Sequence, residues 1–198
     1  MIHNYITRPS AFPITGQLPW SVIAQLDDTL QRLMASLGSD YDIHDGVAIH
    51  RTAAVGHNVT IKPPAIIMAH CFVGSNSYLR NGVFLAPGAR VGIACEVKTS
   101  VMLEGATIAH FNFVGDSLVG HDVNIEAGAI LANHYNERED DTVHVHIDGR
   151  RISTGLHKFG ALVGDDCRIG ANAVLSPGTL LPPGTVVKRL QLVEQDPL

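Results

Sequence analysis

Aliphatic residues recur at every sixth position through most of the chain. The longest uninterrupted series is Ile49, Val55, Ile61, Ile67, Val73, Leu79, Leu85, Val91, Val97 and Leu103. With two five-residue steps the series continues through Ile108, Val114, Val119, Ile125 and Leu131, and after a gap through Val163, Ile169, Leu175, Leu181 and Val187. Neither an α-helix, with a period of about 3.6 residues, nor a flat strand, with a period of about 2, requires this spacing. A chain that turns a corner after each short strand does, because one side chain per segment then points into a shared interior.

The residues beside this series support the same fold. Small residues such as Ala65 and Cys71 usually lie two positions before it, and glycine often follows it, as at Gly56. Small side chains fit a crowded corner, and glycine suits a tight turn. Three six-residue segments complete one coil, and successive coils stack about 4.8 Å apart through parallel β hydrogen bonds. The pattern predicts an all-β solenoid over residues 47–198, a parallel β-helix of hexapeptide repeats whose known form is left-handed.

Residues 1–46 lack the six-residue period and are predicted to form a separate N-terminal region. Residues 1–18 contain prolines and predict an extended arm. From Trp20 to about Leu37, apolar residues recur at spacings of three and four, which predicts an amphipathic helix that ends at Gly38. We expect this helix to cap the open end of the solenoid, where strand edges would otherwise be exposed. The alternative is an element that contacts a substrate or a partner.

The gap in the series, at about residues 134–158, contains a predicted β-hairpin. Aliphatic residues alternate with histidines over residues 143–147, and Asp148-Gly149 follows. Asp-Gly between two extended segments is the signal of a two-residue hairpin turn. We therefore expect a hairpin at residues 142–153 that projects from the solenoid, and that either clasps a neighbouring subunit or folds over an active site.

Composition restricts the partners. The 198-residue chain has a formal charge of −5 and no basic stripe, which argues against nucleic acid as a partner. It contains no run of 18 apolar residues and no basic leader, so we expect a soluble, cytoplasmic protein without a membrane partner. All three cysteines lie at the small inward position, where inert packing is expected in preference to a reactive thiol or a metal ligand.

Lys62, Arg80 and Lys98 are predicted to form a column of positive charge. Each follows a residue of the aliphatic series, and they are 18 residues apart, so they lie above one another at one edge. Like charges about 5 Å apart repel by roughly 1 kcal/mol in water and by more at lower dielectric. A bound anion such as a phosphate would compensate this column. Alternatively, the side chains extend into solvent or pair with Glu96 and Glu104.

His110 is the residue best suited to acid–base chemistry. It lies two positions after Ile108, next to the irregular five-residue steps. An irregular position in a regular solenoid can redirect a side chain for function, and histidine is a natural base near neutral pH. From its position alone a structural role remains the alternative, because the chain contains 11 histidines.

Three segments resemble a known enzyme family. They are His110-Phe-Asn-Phe-Val-Gly-Asp116, Val123-Asn-Ile-Glu-Ala-Gly-Ala-Ile130 with Asn133, and Lys158-Phe-Gly-Ala-Leu-Val-Gly-Asp165 after the hairpin. They are similar to the hexapeptide-repeat acyltransferases. The nearest resemblance is to the acetyltransferase half of the bifunctional glucosamine-1-phosphate acetyltransferase/N-acetylglucosamine-1-phosphate uridylyltransferase, in its archaeal form.

The resemblance covers about residues 47–187 and implies a function. It implies an acetyl-CoA-dependent N-acetyltransferase that acts on glucosamine 1-phosphate or a similar phosphorylated amino sugar, with His110 as the general base. The implied substrate-binding residues are Arg80, Lys98, Phe113, Asn124 and Lys158. The residues implied to line the acetyl and pantetheine end of acetyl-CoA are Ala127, Asn133 and His134. The resemblance also implies a homotrimer with sites in the clefts between adjacent solenoids, and it implies no metal.

Three features depart from the family pattern. Phe113 stands where many members have a substrate-binding Tyr, and His134 stands where bacterial members usually have Tyr. Residues 1–46 are too short for a nucleotidyltransferase domain, so uridylyl transfer is not expected. The acceptor sugar stays open.

Three other functions remain as alternatives. The acceptor could be a nucleotide-linked amino sugar, or the chain could be a non-catalytic trimeric scaffold whose hairpin binds a partner. The third alternative, suggested by the 11 histidines, is a zinc enzyme like the γ-type carbonic anhydrases. A catalytic zinc site needs three protein ligands and a water. However, His110 and His121 are 11 residues apart and His144-x-His146 lies on the hairpin, and neither spacing matches that family.

Overall fold

The computed structural model describes residues 1–14 and 18–196. Short parallel strands form a triangular coil, and each strand pairs with the strand one coil away. The prediction of a left-handed parallel β-helix of hexapeptide repeats is confirmed. The predicted arm includes residues 15–17 and the predicted solenoid domain includes residues 197–198, and these five residues lie outside the described part of the chain.

The coil has three faces, which we call face I, face II and face III. Face I consists of Val47–His50, Ala65–Ile67, the second half of Tyr78–Leu85, the second half of Glu96–Met102, Leu118–Val119, Ala161–Val163 and Thr179–Leu181. Face II consists of Ala54–Val55, Phe72–Val73, Arg90–Ile93, Thr107–His110, Asn124–Ile125, Arg168–Ile169 and Val186–Val187. Face III consists of Thr60–Ile61, the first half of Tyr78–Leu85, the first half of Glu96–Met102, Phe113–Gly115, Ile130–Leu131, Val174–Leu175 and Leu192–Val193.

The aliphatic series fills the interior of the coil. Ile67, Val73 and Leu79, one from each face, are fully buried in one continuous core. The first coil is the exception, because Val55 is 41% exposed. Its strand pairs with a neighbour on one side only, so no second coil covers its edge.

One predicted interior residue was wrong. Met102, and not Leu103, points inward, and it pairs with Leu85 of the preceding coil. The cause is a shorter corner: Val83 pairs with Ser100, which is 17 residues further on, whereas the preceding coils advance by 18 residues. Leu103 is therefore turned outward, where it is buried by a second apolar cluster.

The second apolar cluster lies on the outside of face I. It contains the outward residues of that face, which are Ala48, Ile66, Phe84, Val101, Leu118, Leu162 and Leu180. The N-terminal arm, two helices and the hairpin cover it. Burying such a stripe of large apolar side chains is a strong reason for these elements to pack here.

The predicted helix is two helices, α1 (Pro19–Ala24) and α2 (Leu26–Met34). Gln25 lies between them with non-helical backbone angles. The break lets both helices bury residues in the same outer cluster, for example Trp20 from α1 and Leu30 from α2. α2 also ends before Gly38, because its last turn tightens, with Ser36 N donating to Leu33 O.

The helices do not cover the end of the solenoid, so the predicted capping position was wrong. They pack along face I because that face exposes the apolar stripe. The edge of the first coil is covered by the strand Tyr41–His44, which pairs antiparallel with Val47–His50.

The predicted hairpin is present, with strands His144–Ile147 and Arg150–Ser153 paired antiparallel. Asp148 and Gly149 have φ values of 50° and 73°, as a two-residue turn of this type requires. The hairpin packs against the solenoid, because Val145 is fully buried in the outer cluster of face I.

The N-terminal arm is held at the corner between faces I and II. The Asp165 carboxylate, which is 1% exposed, accepts hydrogen bonds from the backbone N–H groups of Thr7 and His121 and from the Thr7 hydroxyl. Arg8 pairs with Asp122 at 2.7 Å and with Asp166 at 3.0 Å. In the described parts of the chain, the helices are too short and too polar to cross a membrane.

Candidate functional site

His110 lies at the corner between faces II and III, where it ends the strand Thr107–His110. Its side chain is exposed, and among the described residues no hydrogen bond reaches its ring nitrogens. Ala127 lies one coil above at the same corner, where Gly128 N donates to His110 O. Phe111, with a φ of 54°, is 70% exposed next to the imidazole.

Arg80 and Lys98 lie one above the other at the corner between faces III and I, as the sequence predicts. Carboxylates of the same chain compensate both charges. Arg80 Nε and Nη2 are each 2.7 Å from Glu96 Oε1, and Lys98 Nζ is 2.6 Å from Asp116 Oδ2. A bound anion is therefore not needed to hold these two cations together.

Glu104, the second carboxylate considered as a partner for these cations, does not lie beside them. Glu104 Oε2 is 3.2 Å from His121 Nδ1, at the corner between faces I and II. Lys62, in the coil below Arg80, is exposed, and no ion pair to it is found among residues 1–14 and 18–196. The column thus contains one solvated cation and two that are paired.

The pair of Lys98 and Asp116 is the centre of a buried polar network. Lys98, Asp116 and Asn133 are 8%, 5% and 5% exposed. Asn133 Nδ2 donates to Asp116 Oδ2 over 2.5 Å, and Asn133 Oδ1 is 3.1 Å from His134 Nδ1. Phe159 N donates to Asn133 O, so the network also fixes the point where the chain re-enters the solenoid after the hairpin.

Sequence reasoning assigned no role to Asp116. The sequence spacing does indicate a contact, because Asp116 is 18 residues after Lys98 and lies in the next coil. The 18-residue spacing that stacked the cations therefore indicated a carboxylate in the next coil, although the shorter corner pairs Lys98 with Gly115 and places Asp116 one position further on. Glu96 was considered as a partner, and it pairs with Arg80.

The predicted site residues do not converge within one chain. Phe113 lies in the middle of face III and is half-buried, Lys158 is exposed near Asn133, and Asn124 lies on face II. Gly115 pairs with Lys98 at the corner between faces III and I, and it lies five residues after His110. At about 3.3 Å per residue, the corner of His110 and the corner of Lys98 are up to roughly 16 Å apart. Within one chain, the predicted site residues at these two corners therefore stay apart, on either side of face III.

A concave region of about 470 Å³ lies on face II beside Asn124. Its polar lining includes Arg168, Lys188, Arg189 and Glu126. Arg189 makes two hydrogen bonds to Glu126, of 2.8 and 2.7 Å, and these lower the pKa of that carboxyl. Arg168 and Lys188 are exposed, which makes the region attractive to an anion.

The three cysteines lie inside the coil. Cys71, Cys95 and Cys167 are at most 2% exposed. Burial raises the pKa of the Cys71 thiol to about 11 and raises those of the other two. In the described ranges, 1–14 and 18–196, no three His, Cys, Asp or Glu side chains are arranged to hold a metal ion.

The sequence matches the family described as the GMPPB C-terminal domain over residues 65–186. The chain belongs to this family. All nine predicted site residues, from Arg80 to Lys158, lie within the part that matches the GMPPB C-terminal domain.

Two relatives are bifunctional enzymes. The bifunctional sugar-1-phosphate nucleotidylyltransferase/acetyltransferase of Sulfurisphaera tokodaii is 37% identical over 183 residues, which cover 86% of this chain and 45% of the relative. The bifunctional protein GlmU of Methanococcus vannielii is 29% identical over 182 residues, which cover 90% and 43%. The resemblance to the bifunctional acetyltransferases is therefore confirmed. The chain spans less than half the length of these two relatives.

Among solved structures, the chain was compared with the acetyltransferase domain of PglB from Neisseria gonorrhoeae FA1090. That domain is 19% identical to this chain, with 93% of this chain and 74% of that chain covered and a TM-score of 0.31.

Proposed function

We propose that this chain is an acetyl-CoA-dependent N-acetyltransferase that acts on a phosphorylated amino sugar, glucosamine 1-phosphate or a similar one. The observation that carries the proposal is the 37% identity over 86% of this chain to a sugar-1-phosphate nucleotidylyltransferase/acetyltransferase. The exposed His110 at the edge of face III supports it, because a general base must be accessible to its substrate.

The proposed chemistry is direct transfer. The neutral amine of the sugar attacks the thioester carbonyl carbon, so that a C–N bond forms and the C–S bond breaks. His110 takes the proton of the amine, and the leaving thiolate is then protonated. Backbone N–H groups of the coil stabilise the oxyanion. The burial of all three cysteines supports transfer without a covalent cysteine intermediate.

For the sugar phosphate we propose Arg80 as the principal cation. Its side chain is 28% exposed, and its guanidinium retains N–H donors beyond the two that reach Glu96. Lys98 is largely enclosed by Asp116 and Asn133, so we assign it a positioning role. Lys158 and Asn124 are exposed and remain candidates for further substrate contacts.

For acetyl-CoA we propose a path along the corner between faces II and III. The acetyl end lies near His110 and Ala127, and the anionic diphosphate end lies at the concave region with Arg168 and Lys188. The strand pairing places Val186 three coils above Thr107, a separation of about 14 Å. An extended pantetheine arm spans such a distance.

A homotrimer in the cytoplasm would complete this site. His110 and Asn133 lie at different corners, so a second copy is needed to bring them into one cleft. Face III supports such an arrangement, because it exposes Tyr78, Ile130 and Leu192 by 38%, 38% and 59%. Sedimentation of the purified protein tests the trimer, and a monomer at micromolar concentration would refute it.

The test of function is thiol release from acetyl-CoA with glucosamine 1-phosphate, with galactosamine 1-phosphate, glucosamine and a nucleotide-linked glucosamine for comparison. We expect the sugar phosphates to be the better acceptors. Preference for the nucleotide-linked sugar would instead support the alternative acceptor. Absence of release with every amino sugar would favour the scaffold.

His110→Ala should lower kcat by about 10²- to 10⁴-fold, which is typical for a general base. An unchanged kcat would remove this assignment.

Arg80→Ala should raise KM for glucosamine 1-phosphate and leave KM for glucosamine unchanged. Equal effects on the two acceptors would contradict the phosphate role of Arg80.

A further inference from the structure

His134 is a second imidazole at the candidate site, and its neighbours fix where its proton lies. It ends a chain of contacts that begins at Lys98 and passes through Asp116 and Asn133. The resemblance implies only that His134 lines the cofactor, at a position where bacterial relatives have Tyr. The hydrogen-bond network supports a more specific role.

The orientation of the Asn133 amide follows from donor and acceptor chemistry. The Lys98 ammonium can only donate, so Asp116 Oδ2 accepts at 2.6 Å. The same oxygen lies 2.5 Å from Asn133 Nδ2, and an amide NH₂ group can only donate. The carbonyl oxygen of the Asn133 amide must therefore point the other way, toward His134.

The tautomer of His134 follows from this orientation. Asn133 Oδ1 is 3.1 Å from His134 Nδ1, and a carbonyl oxygen can only accept. Nδ1 must then carry a hydrogen, and the neutral imidazole keeps its free lone pair on Nε2. His134 is exposed, whereas the three residues that orient it are at most 8% exposed. A rigid network thus holds an accessible proton acceptor.

This is the arrangement expected of a base that a third group orients. His110 differs, because within residues 1–14 and 18–196 no hydrogen bond fixes its ring. His134 also lies at the corner with Lys158, since Phe159 N bonds to Asn133 O. An anionic acceptor held by the Lys158 ammonium would present its amine near His134.

We propose that His134 is a second general base of the transfer reaction, a role that rests on the proposed acetyltransferase function. Its Nε2 takes the proton of an acceptor amine while the C–N bond to the acetyl carbon forms and the C–S bond breaks. The imidazolium then returns that proton to the leaving thiolate. In the trimer proposed above, the two corners of face III meet in one cleft, so His134 and His110 serve that cleft as alternative bases, and His110 carries the larger share of turnover.

The kinetic test compares His134→Gln, His110→Ala and the double variant in thiol release from acetyl-CoA with glucosamine 1-phosphate. Because the rates of parallel routes add and His110→Ala alone lowers kcat by about 10²- to 10⁴-fold, we expect His134→Gln to lower kcat at least tenfold in the His110→Ala background and only slightly alone, with KM for acetyl-CoA unchanged. A residue that only lines the cofactor would instead raise that KM. His144→Gln is the matched control, since His144 Nδ1 also faces a carbonyl oxygen, Thr142 O at 2.9 Å, but lies on the hairpin.

A second measurement does not depend on activity. Imidazole ¹⁵N NMR of the full chain should report a protonated Nδ1 and an unprotonated Nε2 for His134, and Asn133→Ala should remove this preference. A protonated Nε2 in the wild-type protein would overturn the proposal. So would equal kcat values for His110→Ala and the double variant while the wild type releases thiol. No thiol release by the wild type would overturn the proposed function itself, and the base role with it, whatever tautomer is found.

Discussion

Replacing Lys98 with methionine tests whether the column of cations is a structural network. Lys98→Met retains most of the side-chain length but leaves the Asp116 carboxylate buried without its ammonium partner. Removing one partner of a buried pair costs about 3–5 kcal/mol, because an uncompensated charge remains in the interior. With a urea m-value of about 2 kcal/mol/M, a loss of about 4 kcal/mol lowers the unfolding midpoint by about 2 M. Far-UV circular dichroism in urea at one protein concentration measures this shift.

Three further variants make this test decisive: Asp116→Asn, its combination with Lys98→Met, and Lys62→Met. Lys98→Met combined with Asp116→Asn removes both charges, so we expect it to recover at least 1 kcal/mol relative to the sum of the single effects. Lys62→Met is the matched control from the same column. Because Lys62 is exposed, its substitution should change the free energy of unfolding by less than about 0.5 kcal/mol. A midpoint of Lys98→Met equal to that of Lys62→Met would refute the reasoning.

Two other predictions concern the arm and the thiols. Burial opposes ionisation of Asp165, but hydrogen bonds from Thr7 and His121 outweigh it and lower the pKa of this carboxyl below its ordinary 3.8. The ionised Asp165 carboxylate therefore holds the arm fully at pH values above 3.8, and this stabilisation is lost as pH falls through the lowered pKa. Amide exchange of residues 1–12 should rise in that acidic range. Asp165→Asn should show the same rise already at neutral pH. The cysteines should not react with a disulfide reagent at pH 8 before unfolding, because burial raises the pKa of Cys71 to about 11; stoichiometric reaction of the native protein would contradict the inward placement.

The six-residue series was sufficient to predict the coil, because register in a solenoid is set by one inward side chain per strand. It failed at Leu103, since nothing in the periodicity indicates which corner loses a residue. Placement of the helix on the end of the coil also failed, although a second signal existed. Ile66, Phe84 and Leu162 each precede an inward residue of face I, whereas face II has Arg90 and Asn124 at the equivalent outward positions. Comparing the outward residues of the three faces would have identified the covered one.

The site was predicted less completely than the fold, because spacing gives position in the coil but not the hydrogen-bond partner. The stacking of Arg80 on Lys98 was correct, while the carboxylates that neutralise them required the side-chain geometry. The same geometry changes what the column can do. With Lys98 committed to Asp116, its charge serves to order Asn133 and through it His134. Ligand anions are then left to Arg80 and Lys62 in the column and to the exposed cations on face II. The buried pair of Lys98 and Asp116 removes one cation from anion binding, and through Asn133 it orients the His134 imidazole, the proposed proton acceptor.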